Sequence, residues 1–240
     1  MNLINGKVCA FNLLMLLFFV ATIFGCKKND DSPEPVQVSD YFTSWADISP
    51  INSITHSYNS SLTETENGAA LADAMQALEP GDELKIGSGT YSINKYFNLQ
   101  VSGTSLAPIW IVAEDGVVIT RPDANQNIMN IGASGPVGYL CIRGVEFTGG
   151  SAGVRFYDCS NVWLDQCHIH HTEEAGLTTN TNNTSFMYIT KNEINNTGGT
   201  GEGMYLGANN GEVIMSQSVI AQNHVHHTND MGVTQVMELN

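Results

Sequence analysis

The chain has 240 residues, with 24 Asp plus Glu against 9 Lys plus Arg, and a formal net charge of −15. A surface that acidic repels phosphate backbones, which excludes nucleic acid as a partner. Charged residues make up only 14% of the chain, too few for long exposed helices, while an apolar content of 42% is too high for disorder. With 23 glycines, the composition predicts an extracytoplasmic β protein rich in turns.

Residues 1–25 read as a lipoprotein signal peptide. Lys7 precedes an apolar run from Ala10 to Phe24, interrupted by Asn12 and Thr22. That run is shorter than the roughly 20 residues a spanning helix needs and fits a signal core. It ends in Ile23-Phe24-Gly25-Cys26, which resembles a bacterial lipobox with Cys26 as the lipidated residue. An ordinary secretory signal, or a membrane anchor, with a coincidental cysteine is the plainer alternative. Cleavage before Cys26 removes one lysine, leaving 8 basic and 24 acidic residues, a net −16. Lys27 to Pro35 is a polar, proline-containing tether, and its acidic residues resemble surface-export signals of some Gram-negative lipoproteins. The expected location is the bacterial outer membrane, on its periplasmic or cell-surface side, held by lipid alone. Residues 26–63 form the tether and an irregular N-terminal segment. Its later part carries Tyr41, Phe42, Trp45 and Tyr58 without any period.

A short amphipathic helix is expected over 68–78, where Leu71, Met75 and Leu78 recur at helical spacing and Asn67 stands at the N-cap. Glu79-Pro80-Gly81-Asp82 stops it with a turn. Short β-type segments follow at 83–86, 109–113, 117–120 and 128–131.

From residue 138 the chain repeats itself. Gly138 to Phe147 aligns with Ser160 to Ile169, Ser185 to Ile194, and Gln217 to Val225. Taking Phe147, Ile169, Ile194 and Val225 as one column, the steps are 22, 25 and 31 residues. A second column holds Gly153-Val154, Gly176-Leu177, Gly203-Met204 and Gly232-Val233. No copy can bury its own apolar face, so successive coils must stack, each strand pairing with its equivalent about 4.8 Å away. The changing step is expected in one lengthening loop. Asn192 and Asn223 share a corner column, where an amide can bond the next coil, and the glycine column is expected to supply a conformation other residues resist. The fold class is all-β, a right-handed parallel β-helix over 64–240 with a short N-terminal capping helix. A doubly wound sheet, the main alternative, would need helices between strands, and none is visible after residue 80.

Ala77 to Ile86, then Gly89-Thr90-Tyr91, Ser102-Gly103-Thr104 and Ala107 to Ile111 resemble the opening of β-helix polysaccharide-active proteins. The group includes the chondroitinase B and alginate lyase family, polysaccharide lyase family 6. The resemblance extends over about residues 67–235. It implies β-elimination on an acidic polysaccharide, with a lysine taking the C5 proton, an arginine assisting, and Ca²⁺ neutralising the uronate carboxylate. The family's motifs for those residues are not found in this chain. The sequence stops in an expected strand without a polar cap, so the coil stack is expected to be incomplete at its C-terminus.

Outward columns carry the candidate chemistry. One contains Glu146, His168, Glu193 and His224, and these four are the catalytic candidates. The next contains Thr148, His170, Asn195 and His226, with His171, Asn196 and His227 at the corner. Carboxylate and imidazole side by side can move protons or hold a divalent metal. His170 and His226, two coils apart, suggest a copper or zinc pair, although a simple recurrence of corner-compatible residues explains the same pattern. Arg143 and Lys191, with Trp163 and Tyr188 as a ring platform, are the substrate-binding candidates. Burial beneath loops is the competing role for the two rings. Asp158, Asp165, Glu173, Glu174 and Glu202 are available to hold Ca²⁺, to act as glycosidase acids, or simply to keep the surface soluble. Cys141, Cys159 and Cys167 follow no zinc or redox spacing, and Cys167 points inward as a small core residue.

These features predict a monomeric, lipid-anchored, polysaccharide-active protein, of lyase type in its intact form. A non-catalytic carbohydrate-binding β-helix and a periplasmic metal-handling β-helix remain as alternatives.

Overall fold

The computed structural model describes residues 44–199, 202–207, 211–228 and 237–239. The expected signal peptide, the expected lipidation site Cys26 and the expected tether at 27–35 lie outside the described residues. Among the described residues no helix is long and apolar enough to cross a membrane.

The helix spans Glu64–Gln76 and begins four residues earlier than Asn67 suggests. Its N-cap is Thr63: the Thr63 hydroxyl accepts from the Glu66 amide at 3.2 Å, and Glu66 accepts from the Thr63 amide at 2.8 Å. This reciprocal box satisfies two backbone donors at the helix start. Asn67 is instead buried inside the first turn, where its amide bridges the Asn59 backbone and the Thr63 carbonyl. Leu71, Met75 and Leu78 enter the main core as the spacing predicts. Gly68 faces the strand Gly89–Ser92, and a Cβ there would fall against the Ser92 carbonyl, well inside contact distance.

Beyond the helix, six coils of three strands stack into three parallel sheets. The first sheet contains Asp82–Ile86, Ile109–Ala113, Val137–Arg143, Cys159–Asp165, Thr184–Thr190 and then Met215–Ser216 with Val219–Ala221. It has one further member. Asn52–His56, in the segment expected to be irregular, pairs in parallel with Asp82–Ile86, so this sheet starts before the helix. The second sheet runs from Gly89–Ser92 to His224–His226, and the third from Asn98–Leu99 to Met237–Leu239.

Alternation puts one side of every strand inside. Leu84, Ile111, Ile142, Leu164 and Ile189 form one interior column, each paired with the next. Tyr91, Ile119, Phe147, Ile169, Ile194 and Val225 form another on the second sheet. Met129, Val154, Leu177 and Met204 complete the lining on the third. The fifth member of that last column is Met237; Gly232-Val233, expected there, lies outside the described residues.

The corners explain how one register persists while the coils grow. Among the described residues, all ten non-glycine residues with positive φ fall in three columns. These are Tyr139, Asn161, Phe186 and Gln217; Gln166, Lys191 and Gln222, aligned with Gly144; and His171, Asn196 and His227, aligned with Gly149. A left-handed residue costs about 1–2 kcal/mol without compensation. Here the Gln166 and Lys191 amides each donate to the next coil at 3.1 Å, so the ladder passes through the corner unbroken. The Asn192 amide accepts from the Cys167 amide and donates to the Leu164 carbonyl, and Asn223 repeats the inward bond to Ile189. The connection from first to second sheet stays at two residues in every coil from 137 on. Growth is divided between the other two connections, which lengthen through 4, 6 and 8 and through 2, 5 and 8 residues, rather than falling in one loop.

The recurring glycine column has a reason other than left-handed backbone. Gly153 and Gly176 lie where the next coil passes close: a Cβ on Gly176 would meet Ile194 Cγ2 at 2.6 Å and the Gly203 carbonyl at 2.9 Å. Close approach, not φ, demands glycine at both.

Gly68 offers a test of the helix–coil contact. Alanine should gain about 1 kcal/mol of helix propensity, but the clash with rigid backbone costs about 1–3 kcal/mol. We expect Gly68→Ala to lower the unfolding free energy in urea by about 1 kcal/mol; a more stable variant would show that the helix does not sit this close.

Candidate functional site

The first sheet's outward face is closed. Trp110, Cys141, Trp163 and Tyr188 stand outward in one aligned strip, and Trp45, in the turn Ser44–Asp47, lies over them. Its ring centroid is 6.0 Å from Trp110 and 6.3 Å from both Trp163 and Tyr188, and it meets the last two edge-on. Trp163 and Tyr188 are therefore a second, small core, and their ring faces are not open to a sugar. The covering residue comes from the N-terminal segment, not from loops of the same coils.

Arg143 is also committed to structure. Its Nε donates to Asp165 Oδ2 at 2.8 Å, and its guanidinium lies 4.7 Å from the Trp163 ring centroid. Asp165 is 1% exposed, and both its oxygens are occupied. Gln166 donates to Oδ2 at 2.8 Å, and Thr190 donates to Oδ1 at 2.7 Å while accepting from the Trp163 indole at 2.8 Å. Lys191 is exposed at the left-handed corner in the adjoining column. Cys141, Cys159 and Cys167 are free and buried. Burial pushes the Cys159 and Cys167 thiols up to about 12, which keeps them un-ionised and inert as nucleophiles.

Chemistry concentrates on the second sheet. The parallel register places Glu146 beside His168, His168 beside Glu193, and Glu193 beside His224. Thr148, His170, Asn195 and His226 form the neighbouring column. His170 Nε2 lies 3.1 Å from Glu146 Oε1, and His226 Nε2 lies 3.1 Å from Glu193 Oε1. The pairing is thus between each histidine and the glutamate of the preceding coil, not between His170 and His226. Imidazoles two residues apart on one strand also approach each other, with ring centroids 4.2 Å apart for His168 and His170 and 4.1 Å for His224 and His226. At the corner, His171 Nδ1 is 2.5 Å from His170 Nδ1, and His227 Nδ1 is 2.5 Å from His226 Nδ1. Asn195 places its amide nitrogen 2.9 Å from His168 Nε2.

The electrostatics follow from these contacts. Burial, then the neighbouring His170, holds His168 below its ordinary value and favours the neutral ring. The hydrogen bond from His226 holds the Glu193 carboxyl below its own, favouring the carboxylate. A neutral imidazole and an ionised carboxylate are both proton acceptors and metal ligands.

The acidic residues put forward for Ca²⁺ do not converge in this way. Asp165 is saturated by its partners, and among the described residues the groups of three or more close donors are only Glu146, His168, His170 and Glu193, His224, His226. A hard cation needing six to eight oxygens is not matched by either.

A parallel solenoid with an open face of alternating carboxylates and imidazoles is the class that fold and site define. The chain belongs to the right handed beta helix region family, whose model matches residues 94–238. No curated protein matches it in sequence. Among solved structures it is similar to an alginate lyase from Paenibacillus sp. str. FPU-7, at TM-score 0.56 and 20% identity over 70% of this chain and 57% of that one. It is also similar to pectate lyase Pel9A, at TM-score 0.51 and 18% identity over 79% and 58%. The chain thus spans under three-fifths of either lyase, and at these identities the likeness is one of fold.

The Asp165 network makes a direct prediction. Asp165→Ala leaves Arg143, Gln166 and Thr190 without their acceptor, and hydrogen bonds to a charged group are each worth about 1.5–3 kcal/mol. Chemical denaturation should show a loss of about 2–3 kcal/mol; a loss under about 0.5 kcal/mol, typical of an exposed surface site, would contradict the network.

Proposed function

We propose that this protein is an extracytoplasmic polysaccharide-active β-helix that engages its substrate on the outward face of the second sheet. One observation carries the reading: among the described residues, donor atoms of His, Cys, Asp and Glu come within 4.8 Å of one another in groups of three or more only on that face. The columns run along the solenoid axis, so the groups form a row suited to a linear polymer rather than a closed pocket. The fold likeness to alginate and pectate lyases supports a polysaccharide as that polymer.

The chemistry we infer is β-elimination on a uronate. A base takes the C5 proton, the bond from C4 to the bridging oxygen breaks, a C4–C5 double bond forms, and the leaving oxygen receives a proton. Glu146, His168, Glu193 and His224 are groups of this face that can accept and return that proton, with His170 and His226 hydrogen-bonded to the two glutamates. Lys191, exposed at the edge of the first sheet, is a candidate for a cation against the uronate. The protein is further proposed to be a monomer anchored through lipid on Cys26 at the bacterial outer membrane, with no nucleic-acid partner. Its net charge of −15 agrees with the last point.

The full chain, incubated with alginate, pectate and chondroitin, should generate the ultraviolet absorbance of unsaturated uronate on at least one of them. General acid–base groups contribute about 10²–10⁴-fold, so His168→Ala should lower the rate by at least about 100-fold. Retention of the protein in a polysaccharide-containing gel without new absorbance would assign a non-catalytic binding role. Neither retention nor absorbance on any polymer would contradict the reading.

A further inference from the structure

Six of the seven histidines occur in two runs of identical pattern, His168-Ile169-His170-His171 and His224-Val225-His226-His227. The coil repeat does not explain this. A pattern imposed by coil geometry would recur in every coil, yet the equivalent positions are Glu146, Thr148 and Gly149 in one neighbouring coil and Glu193, Asn195 and Asn196 in the other. The histidine runs alternate with glutamate-bearing coils. Each run therefore receives one carboxylate from the coil before it.

The result is the same three-residue constellation built twice. Glu146, His168 and His170 each offer a donor atom, all within 4.8 Å of one another, and so do Glu193, His224 and His226. Zinc ligands lie about 2.0–2.1 Å from the metal, which sets donors of a tetrahedral site about 3.3 Å apart. The carboxylate-to-imidazole edge already measures 3.1 Å in both constellations. Closing each triangle takes rotation of the remaining imidazole, and at the first site His168 must exchange its contact with the Asn195 amide for the metal. Two residues apart on one strand, the paired imidazoles leave the same face together, so no backbone movement is needed. The other nitrogen of His170 and of His226 is held by the corner histidine at 2.5 Å, and such a contact fixes the ring while leaving Nε2 directed at the glutamate.

We propose that Glu146, His168 and His170, and again Glu193, His224 and His226, form two tandem sites for a borderline divalent transition metal of the zinc type. Two imidazoles and one carboxylate suit such an ion and not Ca²⁺, whose preference is for an all-oxygen shell. Three protein ligands leave one tetrahedral position open at each site, facing solvent. Parallel strands spaced about 4.8 Å apart put the two sites roughly 10 Å apart along the axis. The sites go beyond the carbohydrate reading, do not require it and draw on the same side chains, so those that hold metal do not serve as its proton acceptors. With metal bound, the open positions would take an anionic group such as a carboxylate, and the ligands would no longer carry protons.

The test is calorimetric titration of the full chain, stripped with chelator, using Zn²⁺ at neutral pH with no sugar present. Two equivalents should bind. His170→Asn and His226→Asn should each remove one, and the double variant both. Asparagine already occupies the same column as Asn195, so the fold accepts it, and an unchanged melting temperature of the metal-free variants checks this. Excess Ca²⁺ should displace neither ion. Fewer than two equivalents, binding that persists in the double variant, or displacement by Ca²⁺ would overturn the proposal. A failure to cleave or retain polysaccharide would leave it untouched, because the two experiments share no ligand.

Discussion

Parallel pairing of each coil with the next, residue for residue, is the constraint on which the rest of this molecule depends. It turns distance along the chain into adjacency in space: residues 22, 25 or 31 positions apart become neighbours one strand spacing away. A slip of one residue would send every interior side chain to solvent. Three columns of left-handed corners hold the register by passing the hydrogen-bond ladder around each bend, and the asparagine ladder at 192 and 223 pins it from inside. Because the first-to-second-sheet connection keeps one length in every coil from residue 137 on, the register there survives insertions in the other two. The histidine-bearing sheet follows that invariant corner directly.

The same constraint decides which face is available for function. On the first sheet it stacks Trp110, Trp163 and Tyr188 into an apolar strip, which water exposure would penalise and which Trp45 covers. On the second sheet it stacks carboxylates against imidazoles, which tolerate solvent and need no cover. Arg143, drawn to Asp165 beside the aromatic strip, serves the closed face. An acidic chain with so few free cations has little to offer a polyanion directly, and a bound divalent ion at each histidine cluster would supply that missing positive charge.

Much of this was legible in the sequence because stacking leaves a signature with a period of two. The column of Phe147, Ile169, Ile194 and Val225, the alignment of Glu146 with His168, Glu193 and His224, and the asparagine corner all follow from the repeats alone. What escaped depended on contacts without a period. Trp45 sits in an irregular segment, and nothing local announces that it folds over rings more than 60 residues away. The strand Asn52–His56 alternates no more clearly than its surroundings. The helix start was readable, since Thr63 and Glu66 carry the capping-box spacing, but Asn67 offered the more obvious cap. The diagonal pairing of Glu146 with His170 needed side-chain directions as well as columns.

The most direct test of the account is disulfide trapping across two coils of the second sheet. Residues facing each other on adjacent parallel strands lie about 4.8 Å apart, inside the 4.4–6.8 Å that a disulfide accepts between Cα atoms, whereas diagonal neighbours lie about 7–8 Å apart. Cysteines introduced as His168→Cys with Glu193→Cys should cross-link readily under mild oxidation, read as a shift in non-reducing electrophoresis. His168→Cys with Asn195→Cys should not. Cross-linking of the second pair in preference to the first would show the register to be displaced, and with it the whole arrangement of carboxylates and imidazoles on this face.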